Sequence, residues 1–194
     1  MRITVTGATG LIGSRVVAAL KARGDQVTVL SRDPDSAAAA LGVEAIAWNS
    51  ESEEAPVEAL NGRDAIVHLA GEPVDQRWSA ASKERIRSSR EAGTANLVAG
   101  LRQAQQRPAV LVSGSAVGWY GPRGDEPVDE TAEPGNDFLS EVCVAWEQAA
   151  SQAGELGIRT VLLRTGVVLA PDGGALKRML PPFKAGVGGP VGGG

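Results

Sequence analysis

The chain has 194 residues, long enough for one sizeable core and short for two. It is 43% hydrophobic and 22% charged, as a soluble globular protein usually is, and a net charge of -4 leaves no basic footprint for a nucleic-acid partner. No apolar run approaches the ~18 residues that a membrane-spanning helix needs, and the single cysteine, Cys143, cannot form an internal disulfide. Arg2 leads straight into an apolar segment without the shape of a signal peptide, so the expected compartment is a reducing one, the cytoplasm. One cysteine and one histidine do not make a metal site.

In chain order, a first strand is expected at about Arg2–Val5. Gly7, Gly10 and Gly13 follow, and Val16, Val17 and Leu20 then recur at helical spacing, giving a helix over Leu11–Arg23. Gly24-Asp25 turns into a second strand, Gln26–Leu30. An alanine-rich helix runs from Pro34 and is capped by Gly42. Glu44–Trp48 reads as a third strand, residues 51–56 as an acidic connection, and Val57–Leu60 as a helical turn closed by Asn61-Gly62. Ala65–Leu69 is nearly continuously apolar, as in a strand covered on both faces. A polar loop from Glu72 to Trp78 precedes a long helix over Ser79–Gln105. Pro108 leads into a fifth strand, Ala109–Ser113, and a loop rich in Gly and Pro fills 114–136. Asn136 or Asp137 can cap a helix over Phe138–Gly154, and Arg159–Leu163 is a sixth strand. After Gly166 the pattern weakens, and residues 186–194 are glycine-rich, either a flexible tail or the interior of a functional loop. Strands alternating with helices predict an α/β fold, a doubly wound parallel sheet of the Rossmann type.

A strand, a glycine turn and a helix in that order form a phosphate-binding unit. Gly7-x-x-Gly10-x-x-Gly13 is one residue longer than the common G-x-G-x-x-G, but the physics is shared: a tight turn, close approach to a pyrophosphate, and close packing of helix on strand. A purely structural turn is the other reading of three glycines, and their place between a strand and a helix favours the cofactor. The second strand should end on the residue that meets the adenosine ribose. An acidic residue there selects NAD, whereas this chain has Ser31-Arg32, which suits the 2'-phosphate of NADP. Asp33, one residue on, keeps NAD as the alternative.

With those residues in view, the chain resembles the extended short-chain dehydrogenase/reductases of the NAD-dependent epimerase/dehydratase family, over essentially its whole length. The resemblance rests on the glycine loop, His68-Leu-Ala-Gly71, Val112-Ser113-Gly-Ser115 through Tyr120-Gly121, and Arg164-Thr-Gly166. It is closer still to the "epimerase family proteins" with a C-terminal domain of unknown function, through Gly71-Glu-Pro73, Arg77-Trp78, Ile86 to Arg90 with Gly93-Thr94, and Phe138-Leu139 with Cys143 and Trp146-Glu147. It implies cofactor contacts at Gly7, Thr9, Gly10, Leu11, Ile12, Gly13, Ser31, Arg32, Leu69, Ala70, Gly71, Arg90, Ser113, Arg164 and Gly166. It also implies a nucleotide-binding domain over 1–170 and, from 171, the start of a substrate lobe that the chain truncates, with Arg178, Pro181 and Pro182 at its beginning.

The family's chemistry implies a Ser, a Tyr and a Lys. Ser115 fits the first place, but the Tyr and Lys places fall on Leu139 and Cys143. Tyr120, the only tyrosine, is the candidate proton carrier, with Cys143 and Glu141 as alternatives. Arg90 reads either as an anion-binding residue or as one of several arginines on a solvated helix face. Arg77-Trp78 reads as substrate contact or loop packing, and His68 as a satisfied core residue. Two functions follow. One is an NADP(H)-dependent epimerase or oxidoreductase acting on a carbonyl or nucleotide-sugar small molecule with an altered acid/base group, Ser115 and Tyr120 being catalytic. The other is a non-catalytic NADP(H)-sensing scaffold. The chemistry leaves an oligomer open, and it disfavours a DNA-binding protein without cofactor.

Overall fold

The computed structural model describes residues 1–189, and the end of the glycine-rich run, 190–194, on which the tail and loop readings depend, lies outside the described residues. The chain forms two compact units, Met1–Arg164 and Thr165–Gly194. The first holds strands β1 (Arg2–Thr6), β2 (Gln26–Ser31), β3 (Glu44–Ala47), β4 (Ala65–His68) and β5 (Val110–Ala116), and all but the last residue of β6 (Arg159–Thr165). They make one sheet in the order β3-β2-β1-β4-β5-β6, with parallel pairing from β3 through to β5. Helices α1 (Leu11–Ala22), α2 (Pro34–Leu41), α3 (Ala80–Gln103) and α4 (Phe138–Ser151) connect the strands.

Strand residues alternate between two cores because successive side chains point to opposite faces. Ile3, Val5, Val27 and Val29 pack with Val17 of α1 and Ala37 of α2. Leu30, Ile66 and Leu111 point the other way, into a cluster with Leu97 and Leu101 of α3. Ile66, Leu97, Leu101 and Leu111 are fully buried, and each contributes about 1.5–3 kcal/mol of transfer free energy.

The helix ends follow their caps. Asp33 accepts from Ser36 N at 3.0 Å at the start of α2, and Gly42 ends that helix at φ 62°. Ser79 and Ser82 form a capping box on α3. Of the two cap candidates for α4, the structure uses Asp137, whose carboxylate accepts from Ser140 N at 2.8 Å.

Three expectations are corrected. Strand β5 continues three residues past Ser113 to Ala116, and a 3-10 turn over Val117–Tyr120 replaces the first part of the expected loop. Gly114 and Ser115 lack strand propensity and lie beyond the last pair with β4, His68 with Ser113, but packing on α4 overrides that lack. Helix α4 ends at Ser151, and a 3-10 segment over Gln152–Leu156 completes the stretch expected to be helical to Gly154. The second unit, where the pattern weakened, contains a short strand, β7 (Leu169–Ala170), bridged antiparallel to Gly173 and Gly174, and helix α5 (Gly174–Lys184) with Pro181 and Pro182 inside it.

Candidate functional site

The strand order reverses at β1, which lies between β2 and β4. Open parallel sheets bind ligands at this reversal, beyond the carboxyl ends of the strands. Here the loop after β1 meets the loop after β4. Gly7 has φ 65°, and a Cβ on it would lie 2.5 Å from the Leu69 carbonyl oxygen, so only glycine permits both the turn and the approach. Gly10 donates to the Gly7 carbonyl at 3.1 Å and caps α1 without a side chain, leaving first-turn N–H groups to face an anion. A Cβ on Gly13 would collide with the Gly7 carbonyl, so the third glycine lets α1 pack onto the loop.

The β4 loop is held from below by Thr6. Its hydroxyl accepts from Leu69 N and Ala70 N, both at 3.2 Å. Its own proton therefore goes to His68 Nδ1 at 2.7 Å, which puts the ring proton on Nε2, where it donates to Thr94 Oγ1 at 3.0 Å. His68 is fully buried, and burial pushes its pKa down to about 4. The ring is neutral and structural, and it acts by orienting Thr6.

These loops line a cleft of about 470 Å³. Gly7, Thr9, Gly10, Leu69, Ala70 and Gly71 line it, and Ser31 and Arg32 line it at the end of β2. The Arg32 guanidinium has no protein partner among the described residues. The neighbouring Asp33 spends its carboxylate on the α2 cap. Leu11, Ile12 and Gly13 open α1 beside the cleft. Sequence reasoning missed Trp48, Ser50 and Glu51, which close the cleft at the end of β3. Glu51 lies in a stretch that read as a solvated acidic connection, and only the sheet order brings it to β1.

A second cluster joins β5, α4 and β6. Ser115 donates to Glu147 Oε1 at 2.6 Å. Arg164 grips the same carboxylate with two bonds, Nε to Oε1 at 2.8 Å and Nη2 to Oε2 at 2.9 Å. Its Nη1 donates to Tyr120 Oη at 3.2 Å, and its guanidinium lies 3.5 Å from the Trp119 ring centroid. Glu147 holds the Arg164 pKa above its ordinary value. Tyr120, distant from the family's tyrosine place in sequence, thus joins Ser115 through an ion pair, and its own O–H has no acceptor among the described residues. Glu147 was also missed, although a signal existed: it falls within the buried Cys143, Trp146, Ala150 stripe of α4, where a charge needs a partner.

Arg90 stands between the two clusters. Its guanidinium lies against Gly71, its Nη1 donates to the Glu72 and Ile86 carbonyls at 2.9 and 3.2 Å, and it stacks 5.1 Å from the Trp146 ring centroid. It is half-buried and not on a solvated face with Arg85 and Arg87. Arg87 instead pairs with Glu141 at 2.8 Å. Cys143 is buried, and burial pushes its thiol pKa up, so it is a neutral thiol at neutral pH. Ser113 is fully buried and donates to the Gly114 carbonyl at 3.2 Å. Gly166 belongs to the second unit.

Residues 3–186 match the NAD dependent epimerase/dehydratase family. Epimerase family protein Mb2239 of Mycobacterium bovis is 42% identical over 194 residues, 99% of this chain and 62% of that protein. The crystal structure of human epimerase family protein SDR39U1 (isoform 2) with NADPH is similar at a TM-score of 0.85 and 35% identity, covering 100% of this chain and 63% of that one. A nucleoside-diphosphate sugar epimerase from Corynebacterium glutamicum gives a TM-score of 0.82 at 35% identity, covering 100% of this chain and 39% of its own. This chain therefore spans less than two thirds of the length of each. With its sheet order, its glycine turn at the strand reversal and this match over nearly every residue, the chain belongs to the NAD dependent epimerase/dehydratase family.

Proposed function

We propose that this chain is the NADP(H)-binding part of an epimerase- or dehydratase-type oxidoreductase acting on a carbonyl or nucleotide-sugar substrate. The observation that carries this reading is the β2 end of the cleft. Arg32 is unpaired there, Ser31 is beside it, the Asp33 carboxylate is occupied by a helix cap, and Glu51, which also lines the cleft, accepts from the Ser88 hydroxyl at 3.0 Å. A cation and a hydroxyl suit a ribose 2'-phosphate. The cradle fits the rest of a dinucleotide, since the glycines at 7, 10 and 13 clear the space beside the N-terminus of α1. The human relative with NADPH supports the same choice.

When bound, the nicotinamide supplies the hydride chemistry. The chain's own residues position the substrate oxygen and its proton. Ser115 commits its proton to Glu147, so its oxygen offers lone pairs to a substrate hydroxyl. Tyr120, anchored by Arg164, keeps its phenolic proton to give to a carbonyl oxygen or to take back. This arrangement stands in for the pair that Leu139 and Cys143 cannot form.

The second reading, an NADP(H) sensor without turnover, is favoured by one observation: the neutral, buried Cys143 at the lysine place. Deuterium transfer from 4-deuterated NADPH to a panel of nucleotide sugars and small carbonyls separates the two. The enzyme reading expects transfer that Ser115→Ala and Tyr120→Phe abolish with little change in NADPH affinity. Transfer unaffected by both substitutions would overturn the assigned roles, and tight NADPH binding with no transfer would establish the sensor.

A further inference from the structure

Glu147 is a carboxylate on an apolar helix face. On α4 it stands with Val142, Cys143, Trp146 and Ala150, and like them it is buried. Its two oxygens are filled from two other elements. Oε1 accepts from the Ser115 hydroxyl at the end of β5 and from Arg164 Nε on β6, at 2.6 and 2.8 Å. Oε2 accepts from Arg164 Nη2 at 2.9 Å. An ion pair this deep is not needed to join α4 to β6, because well-packed apolar residues of similar volume often hold two elements together as firmly or more so.

What the pair adds is direction. An ionised carboxylate only accepts and a hydroxyl has one proton, so Ser115 must give its proton to Glu147 and keeps only lone pairs for any other partner. The same carboxylate takes Arg164 by two parallel bonds, which fix the plane of the guanidinium. That guanidinium lies 3.5 Å from the Trp119 ring centroid and 5.1 Å from that of Tyr120, and its Nη1 donates to Tyr120 Oη at 3.2 Å. Arg164 thereby engages a lone pair of the phenol and leaves its proton to point elsewhere. Among the described residues no hydrogen bond joins Ser115 to Tyr120 directly, so Glu147 and Arg164 are the link between them. Glu147 also stands one helical turn beyond Cys143, the residue at the lysine place.

Resting on the enzyme reading, we propose that Glu147 is the positioning residue of this site, through which Ser115 and Tyr120 act as one unit and not as two independent groups. It sets the hydrogen-bond polarity of Ser115 directly and that of Tyr120 through Arg164. Its own oxygens are occupied by these partners, so its effect on a substrate passes through them.

The test is a double-mutant cycle. Its readout is the rate of deuterium transfer from 4-deuterated NADPH to whichever nucleotide sugar or small carbonyl the wild type reduces, with NADPH titrations alongside. Glu147→Gln keeps the shape and removes the charge. It should slow transfer at saturating NADPH and substrate by about a hundredfold, the size expected for misplaced reacting groups, and leave NADPH affinity within about twofold. Glu147→Asp, which keeps the charge, should recover part of the loss. Adding Ser115→Ala or Tyr120→Phe to Glu147→Gln should slow transfer only about threefold further, far less than either does alone, because residues that act as a unit are not additive. A wild-type rate in Glu147→Gln overturns the proposal. So do full penalties for Ser115→Ala and Tyr120→Phe in the Glu147→Gln background, or a loss of NADPH affinity that matches the loss of rate, since each would make Glu147 a structural residue only. If Glu147→Gln does not fold, the double variant Glu147→Met with Arg164→Leu keeps α4 packed on β6 without charge, and it should be folded and as slow. A wild-type rate there overturns the proposal equally. A wild-type protein that binds NADPH and transfers deuterium to no member of the panel refutes the enzyme reading itself before any variant is made, and the proposal falls with it.

Discussion

Replacing Gly7 with alanine should damage the protein in two separable ways. At φ 65° a side chain costs about 1–2 kcal/mol from backbone strain alone. In addition, the new Cβ would stand 2.5 Å from Leu69 O and 2.8 Å from Ala70 N, so the β4 loop must move. Moving it loosens the two bonds of 3.2 Å that the Thr6 hydroxyl accepts from Leu69 and Ala70, costing about 1–3 kcal/mol more. Gly24 is the matched control, with φ 85° and nothing within 4 Å of the place a methyl group would take, so Gly24→Ala should cost only the strain. Urea unfolding of the two variants should therefore differ by about 1–3 kcal/mol. NADPH binding should be lost in Gly7→Ala and kept in Gly24→Ala. If Gly7→Ala were no more destabilising than Gly24→Ala, the close approach of the two loops would not be what the glycine is for.

Two further outcomes follow from buried groups. His68 has a folded pKa depressed from 6.5 to about 4, so below pH 6.5 the unfolded chain binds a proton that the folded one refuses. Its contribution is intact above pH 6.5 and is lost as pH falls to about 4, up to about 3 kcal/mol, and His68→Gln should flatten that part of the stability profile measured by urea unfolding. Identical slopes in the two proteins would refute the buried neutral ring. Glu147→Gln removes the charge facing Arg164 where the two side chains are only 9% and 17% exposed. It should cost about 2–4 kcal/mol in thermal unfolding, near the range for breaking a buried pair, because Arg164 is left uncompensated. An unchanged melting temperature would show that the pair does not hold β6 to α4.

The sheet and most caps were legible because they depend on local chemistry. Alternating apolar runs marked the strands, Gly42 supplied the left-handed cap, and Asp137 supplied the N-cap of α4. The glycine turn was legible for the same reason, since its three glycines and the helix they open are contiguous. What failed to show was what only tertiary structure creates. The Ser115–Glu147 and Tyr120–Arg164 contacts span 32 and 44 residues, and no periodicity links them. The extension of β5 through Gly114 and Ser115 was invisible because those residues have no strand preference of their own. Arg90 was ambiguous by composition, as one arginine among several, but its spacing from Ile86, Gly93 and Leu97 already placed it on the buried face. Asp33 illustrates the converse: its position beside Arg32 suggested a competing ribose contact, and its geometry assigns it to a helix cap.

The central claim is that this cleft is built for NADP(H), with Arg32 meeting the 2'-phosphate. Titrating NADPH and NADH into the wild type and Arg32→Ala tests it most directly. The account predicts that the wild type prefers NADPH, and that Arg32→Ala weakens NADPH by roughly tenfold while leaving NADH nearly unchanged, since the exposed guanidinium makes one charge-assisted contact that NADH lacks. Equal affinity of the wild type for the two dinucleotides, or equal losses in the variant, would contradict it.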